Sequence, residues 1–89
     1  MKAVVTVVGK DRVGIIAGVC VKLAEFNVNV LNISQSVMEG FFTMMMVVDV
    51  TSASLPLAEL AQRVEEMGKE MGLSIRLQRE DIFNAMHRV

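Results

Sequence analysis

The residues best placed to do chemistry sit in one short loop, Gly9-Lys10-Asp11-Arg12-Val13-Gly14. Two glycines allow a tight reversal of the chain and a close approach of backbone to a ligand. A helix starting just after them would present free N–H groups at its positive end, a site for a carboxylate or a phosphate. The same loop also reads as a plain turn, with Gly9 and Gly14 shaping the chain and Asp11 capping the helix. It is not a P-loop, because Ile15-Ile16 follow Gly14 where a Lys-Ser/Thr pair would stand. Its glycine spacing does not match a dinucleotide fingerprint either.

Outside this loop the chemical inventory is thin. Cys20 falls on the apolar side of a helix with no basic neighbour on that side, so it reads as a small core residue and not as a nucleophile. His87 is the only histidine, and no cysteine pair or second histidine completes a zinc set, so it reads as a structural tail residue. Glu65 and Glu66 belong to a solvated helix face, and Glu80-Asp81 close a strand. Met44, Met45 and Met46 alternate across both faces of one strand, which suits a core and an interface better than a metal box. These residues offer little for acid–base or nucleophilic work. No catalytic residue, metal or cofactor is expected, and the chain is read as a non-enzyme.

The elements that would position the loop follow from hydrophobic periodicity. Ala3–Val8 is a β-branched run, apolar on both faces like a central strand, ending at Gly9. Val13–Phe26 predicts a helix with a narrow polar stripe at Gly18, Lys22 and Glu25 and a wide apolar face at Val13, Ile16, Ala17, Cys20, Leu23 and Ala24. Gly14 and Gly18 form a small-xxx-small pair that either marks a helix contact across a dimer or leaves Gly18 simply exposed. After a turn at Asn27–Asn29, residues 30–39 alternate, with Leu31, Ile33 and Val37 opposed to Asn32, Ser34 and Ser36. Glu39-Gly40 predicts a tight turn into the strand Phe41–Val50, hence a hairpin.

One face of that strand (Phe42, Met44, Met46, Val48, Val50) is fully apolar, and the other (Phe41, Thr43, Met45, Val47, Asp49) is largely so. A two-layer domain would leave the second face bare, which points to a covering partner. Pro56 suits a helix start, Leu57, Leu60, Ala61, Val64, Met67, Gly68 and Met71 recur at helical spacing, and Gly72 sits at a left-handed cap. Leu73, Ile75 and Leu77 alternate as a fourth strand. Ile82, Phe83, Met86 and Val89 predict a short tail helix folded back on the body or on a neighbour. The order βαββαβ predicts an α+β ferredoxin-like sandwich with a four-stranded antiparallel sheet and both helices on one face. Residues 1–80 form the domain in this reading and residues 81–89 its tail.

Bulk properties bound the function. At 89 residues the chain holds one core. Its apolar share of 53% exceeds the usual value of about 45–50%, and self-association is the simplest way to hide the excess. A formal charge of −1 with scattered basic residues, and no tryptophan or tyrosine to stack on bases, argues against nucleic acid. The longest apolar segment, Val13–Leu23, is broken by Gly14, Gly18 and Lys22 and is too short to span a membrane. A single cysteine and no secretion signal point to the cytoplasm.

Over residues 3–80 the sequence resembles the ACT domain, the regulatory βαββαβ module of many enzymes of amino-acid metabolism. The resemblance is carried by Val4–Val8, by Lys10-Asp11-Arg12-Val13-Gly14-Ile15-Ile16 and by Asn27-Val28-Asn29-Val30-Leu31-Asn32-Ile33. With its tail the chain is most similar to small prokaryotic proteins made of this domain alone. The resemblance implies a homodimer with amino acids bound between the first loop and helix of one subunit and the second strand of the next. Carried onto this chain it implies ligand contacts at Asp11, Gly14 and Asn29, and the backbone N–H groups of Arg12, Val13, Gly14 and Ile15 at the helix start would receive the ligand's anionic group. Val13 replaces a proline common in the family, and Asp11 stands where serine-binding members have asparagine, so Asp11 would meet a ligand's ammonium. The expected function is a non-catalytic, small-molecule-responsive module, with a purely structural or protein-interaction module as the alternative.

Overall fold

The computed structural model describes residues 1–86, and the readings given to His87 and Val89 lie outside the described residues. The chain runs β1(Lys2–Lys10), α1(Ile15–Glu25), β2(Asn29–Met38), β3(Phe41–Asp49), α2(Leu57–Glu70), β4(Ser74–Arg79) and α3(Glu80–Met86). The strands form one antiparallel sheet in the order β2-β3-β1-β4. Alternate residues of the inner strands, such as Val5, Val7, Met44 and Met46, and Ile75 of β4 are buried in one cluster with Leu23, Leu60 and Val64 of the helices. This is the expected ferredoxin-like sandwich, a slab of 34 × 34 × 20 Å.

The second half of the chain follows its periodicity closely. In α2 the buried positions are Leu60, Val64, Met67 and Gly68, while Leu57, Ala61 and Met71 pack half-buried against the same cluster. Pro56 stands one position earlier than expected, as the residue just ahead of the helix. Gly72 has φ +72°, and its N–H and that of Leu73 bond back to the Lys69 and Gly68 carbonyls at 3.1 and 2.7 Å. That is the left-handed ending only glycine adopts without strain. Helix and strand then approach closely, because a Cβ on Gly68 would come within 2.7 Å of Ile75. The tail helix α3 meets the ends of β1 and β4.

The first half departs from its pattern in four ways. Gly9 does not end β1, which continues to Lys10; a Cβ there would lie 2.4 Å from the Leu73 side chain, so Gly9 is a packing residue of the sheet. Helix α1 starts at Ile15 and buries Ile15, Val19 and Leu23, with Ile16 and Cys20 packed at the edge. Val13, expected on the buried face, is fully exposed, and Ala17 and Ala24 are exposed as well. Nearly every residue from Ile15 to Val21 is apolar, so a narrow polar stripe could not fix the rotation of the helix, and packing on the sheet did.

Gly18 is not simply exposed, since a Cβ there would meet the Met71 side chain at 2.9 Å; its bareness lets α1 approach the end of α2. In β2 the register slips between Val30 and Asn32, leaving Leu31 at a bulge. Beyond it Ile33, Gln35 and Val37 lie opposite the buried Met46, Met44 and Phe42, so they share the helix-side face. The hairpin turn is at Glu39-Gly40 as expected, with φ +52° and +81°, the geometry of a two-residue turn matched to strand twist.

Candidate functional site

The loop between β1 and α1 is held at both ends. The Asp11 N–H donates to the Gly40 carbonyl at 2.9 Å, tying the loop to the tip of the β2–β3 hairpin. The Arg12 guanidinium donates to the Met71 carbonyl at the end of α2. Its side chain is therefore engaged within the fold, and a ligand would meet this part of the loop through other groups. Gly14 precedes α1 with φ +90° and has no heavy atom within 4 Å of a Cβ built on it. No side chain caps the helix, so Asp11 is not the capping residue that the turn reading gave it. The first bond of the helical ladder runs from the Gly18 N–H to the Gly14 carbonyl at 2.9 Å, which leaves the amides of Ile15, Ile16 and Ala17 ahead of it.

These amides border an open cleft of about 550 Å³, walled on one side by Asp11, Arg12, Gly14 and the first turn of α1 and on the other by Gln35, Ser36 and Val37 of β2. Phe42 forms its apolar floor side. The cleft exists because α1 touches β2 only sparsely, so the helix-side face of this edge strand stays uncovered. Chemically the cleft offers backbone donors, the Asp11 carboxylate and the Gln35 carboxamide around an apolar patch, while Ser36 borders it through its backbone, its side chain lying on the other face of the sheet opposite Thr43. Such a set could receive a small zwitterion or polar anion.

Of the six residues expected at the site, Asp11, Arg12, Gly14 and Ile15 line this cleft. Val13 projects into solvent beside it. Asn29 lies at the opposite end of β2, paired with Asp49, and borders a separate depression with Asn27 and Ser52. A single chain thus does not bring Asn29 to the loop, and its place at the site would require a second subunit. Gln35, Ser36 and Val37 were not singled out from the sequence. The available signal was Gln35 itself, the polar residue set between Ile33 and Val37 in an otherwise apolar row.

The carboxyls with lowered pKa lie away from the cleft. Asp49 is held below the usual range by the Thr51 hydroxyl at 2.6 Å and the Thr51 amide at 2.9 Å. Asp81 is lowered by its paired bonds from Arg79 at 2.6 and 3.1 Å. Among the described residues no group of three or more His, Cys, Asp or Glu could hold a metal, and no helix is long and apolar enough to cross a membrane.

A family model described as the ACT domain matches residues 2–78. The chain belongs to the ACT domain family. Among its relatives, a UPF0237 protein of Listeria innocua is 48% identical over 89 residues, covering all of both chains. A UPF0237 protein of the archaeon Methanocaldococcus jannaschii is 46% identical over 88 residues, covering 99% of this chain and 98% of its own. A solved ACT domain protein from Streptococcus pneumoniae is 42% identical, covers 98% of each chain and superposes with a TM-score of 0.83. The ACT domain is in general a regulatory ligand-binding module.

Proposed function

We propose that this ACT domain is a non-catalytic regulatory module that binds an amino acid and acts as a homodimer. The observation that carries the reading is the open cleft in which the first turn of α1 and the carboxylate-bearing Asp11 face Gln35. The amides of Ile15 and its neighbours receive the ligand's carboxylate, where the helix dipole favours negative charge. Asp11 meets the ammonium, and Gly14 keeps the approach to the backbone open. Gln35 sorts the ligand's side chain, and Asn29 of a second subunit closes the site from the facing edge. A lone Cys20, unable to form an internal disulfide, is in keeping with work in the cytoplasm.

A thermal-shift screen against the common amino acids tests this reading. At a ligand concentration about a hundred times its dissociation constant, linkage adds roughly 2.7 kcal/mol of stability. For a domain of this size that raises Tm by on the order of 10 °C. Gly14→Val removes the shift by filling the approach, and Asp11→Ala weakens it for ligands carrying an ammonium. No shift with any amino acid, or a shift that survives both substitutions in a folded protein, overturns the assignment.

A further inference from the structure

The first turn of α1 carries the amides that border the cleft, yet little in its own sequence fixes its aim. Gly14 enters the helix in the left-handed region, no side chain caps it, and no residue from Ile15 to Val21 is charged. Two contacts bracket this turn, and both come from Met71, the residue that ends α2. The Met71 carbonyl accepts from the Arg12 guanidinium, just ahead of the turn. The Met71 Cε stands where a Cβ on Gly18 would come within 2.9 Å, so its side chain rests on α1 just beyond the turn. One residue of the far helix thus grips Ile15, Ile16 and Ala17 from both sides. The junction also serves α2, because the last carbonyls of a helix lack partners within it and a cation there meets the negative end of its dipole. Arg12 supplies that cation from across the fold, its Nη1 3.6 Å from where a Cβ on Gly72 would stand. The opposite tether, from the Asp11 N–H to the Gly40 carbonyl, fixes the loop to the hairpin that carries the other wall of the cleft.

We propose that Arg12 is a positioning residue of the cleft. Its guanidinium is committed to the Met71 carbonyl, and through that bond it fixes the angle of the first turn of α1 and of the amides that receive a carboxylate. The physical gain is preorganisation, since a turn already held gives up less conformational freedom on binding. A turn free to swing would have to be ordered by the ligand, which lowers affinity. The coupling runs in both directions, because linkage between two binding equilibria is reciprocal. A carboxylate seated on the amides steadies the first turn of α1, hence Arg12 and Gly18, hence Met71. Binding therefore also steadies the end of α2 and the turn into β4, where the Gly72 and Leu73 amides bond to the Lys69 and Gly68 carbonyls. Neither Gly72 nor Leu73 borders the cleft, so occupancy is felt at a second place, on the densely packed flank of the sheet.

This inference rests on the amino-acid reading of the cleft and deepens it, so the test separates the two. The probe is whichever common amino acid raises the wild-type Tm most, titrated by calorimetry. Arg12→Ala is expected to raise its dissociation constant roughly tenfold, the weight of one hydrogen bond from a charged group. Arg12→Lys should recover most of that loss, because one carbonyl needs a single donor. Arg12 is exposed, so both variants should keep the circular dichroism of the fold. Leu57→Ala, a half-buried change on α2 away from the cleft, should lower Tm yet leave the dissociation constant unchanged. Hydrogen exchange reads the reciprocal effect, since amides at a helix end exchange through local opening. With the probe bound, the Gly72 and Leu73 amides should slow several-fold in wild type and Arg12→Lys, and not in Arg12→Ala. A dissociation constant that Arg12→Ala changes no more than Leu57→Ala does, or protection at Gly72 that survives Arg12→Ala, overturns the positioning role and leaves the amino-acid reading standing. A wild-type protein that no amino acid shifts overturns both.

Discussion

The two flanks of the sheet are covered to different degrees, and the difference separates scaffold from site. On the β4 flank α2 lies so close that Gly68 has room for no side chain against Ile75, and Leu73, Ile75 and Leu77 are all buried. On the β2 flank every residue of the strand is exposed except half-buried Val30, and α1 leans away from it. Dispersion and burial are spent where the layers touch, so the β4 flank supplies most of the stability. The β2 flank keeps its apolar row at Ile33 and Val37 within reach of solvent. A cleft of this kind costs stability, and the dense flank is what lets the fold carry it.

Substitutions on the two flanks should therefore differ in effect, and chemical denaturation measures the contrast. Leu60→Ala, at a fully buried position of α2, is expected to cost about 3 kcal/mol, since the cavity cannot collapse between helix and sheet. Gly68→Ala is expected to cost about 2 kcal/mol, because the new methyl must push Ile75 away and the gain in helix propensity offsets only part of that. Gly14→Ala meets no neighbouring atom, so its cost is the left-handed backbone alone, about 1 kcal/mol. A larger loss at Gly14 than at Gly68 would reverse the comparison. Ile33→Ser, on the uncovered strand, should stay within about 0.5 kcal/mol of wild type.

The smallest expected effect is that of acid. Asp49 and Asp81 both have pKa values lowered in the folded chain, Asp49 chiefly by the Thr51 hydroxyl and Asp81 chiefly by Arg79. A carboxyl with a depressed folded pKa adds stability above its unfolded value of 3.8, and the contribution fades as pH falls through the folded pKa. Both groups are solvent-exposed, so the contribution is slight. Thr51→Val and Arg79→Gln should each lower stability slightly at neutrality and flatten the acid limb of a stability-against-pH curve, the difference from wild type vanishing as pH falls well below about 4. Neither change should affect ligand-induced shifts, because both groups lie outside the cleft.

What the sequence determined by itself was the order of elements and the features with a sharp local cause. In α2 apolar and charged residues segregate cleanly, so Leu60, Val64 and Met67 could be assigned to the core before any fold was known. Glu39-Gly40 and Gly72 were legible because positive φ has few residues that accept it. The loop from Asp11 to Ile15 was legible as a place where a helix begins beside two glycines. The tertiary structure alone decided the rest. The rotation of α1, whose sequence is apolar almost all round, was set by the sheet beneath it and put Val13 in solvent. Gly9 proved to be a contact for Leu73, and Arg12 found its acceptor at Met71, fifty-nine residues away. Gln35 reached the cleft through a bulge at Leu31 that shifts the register of the whole strand. Local sequence carries propensity and periodicity, which act over a few residues. Which face an ambiguous element turns inward, and which distant backbone group meets a side chain, are settled only when the layers pack.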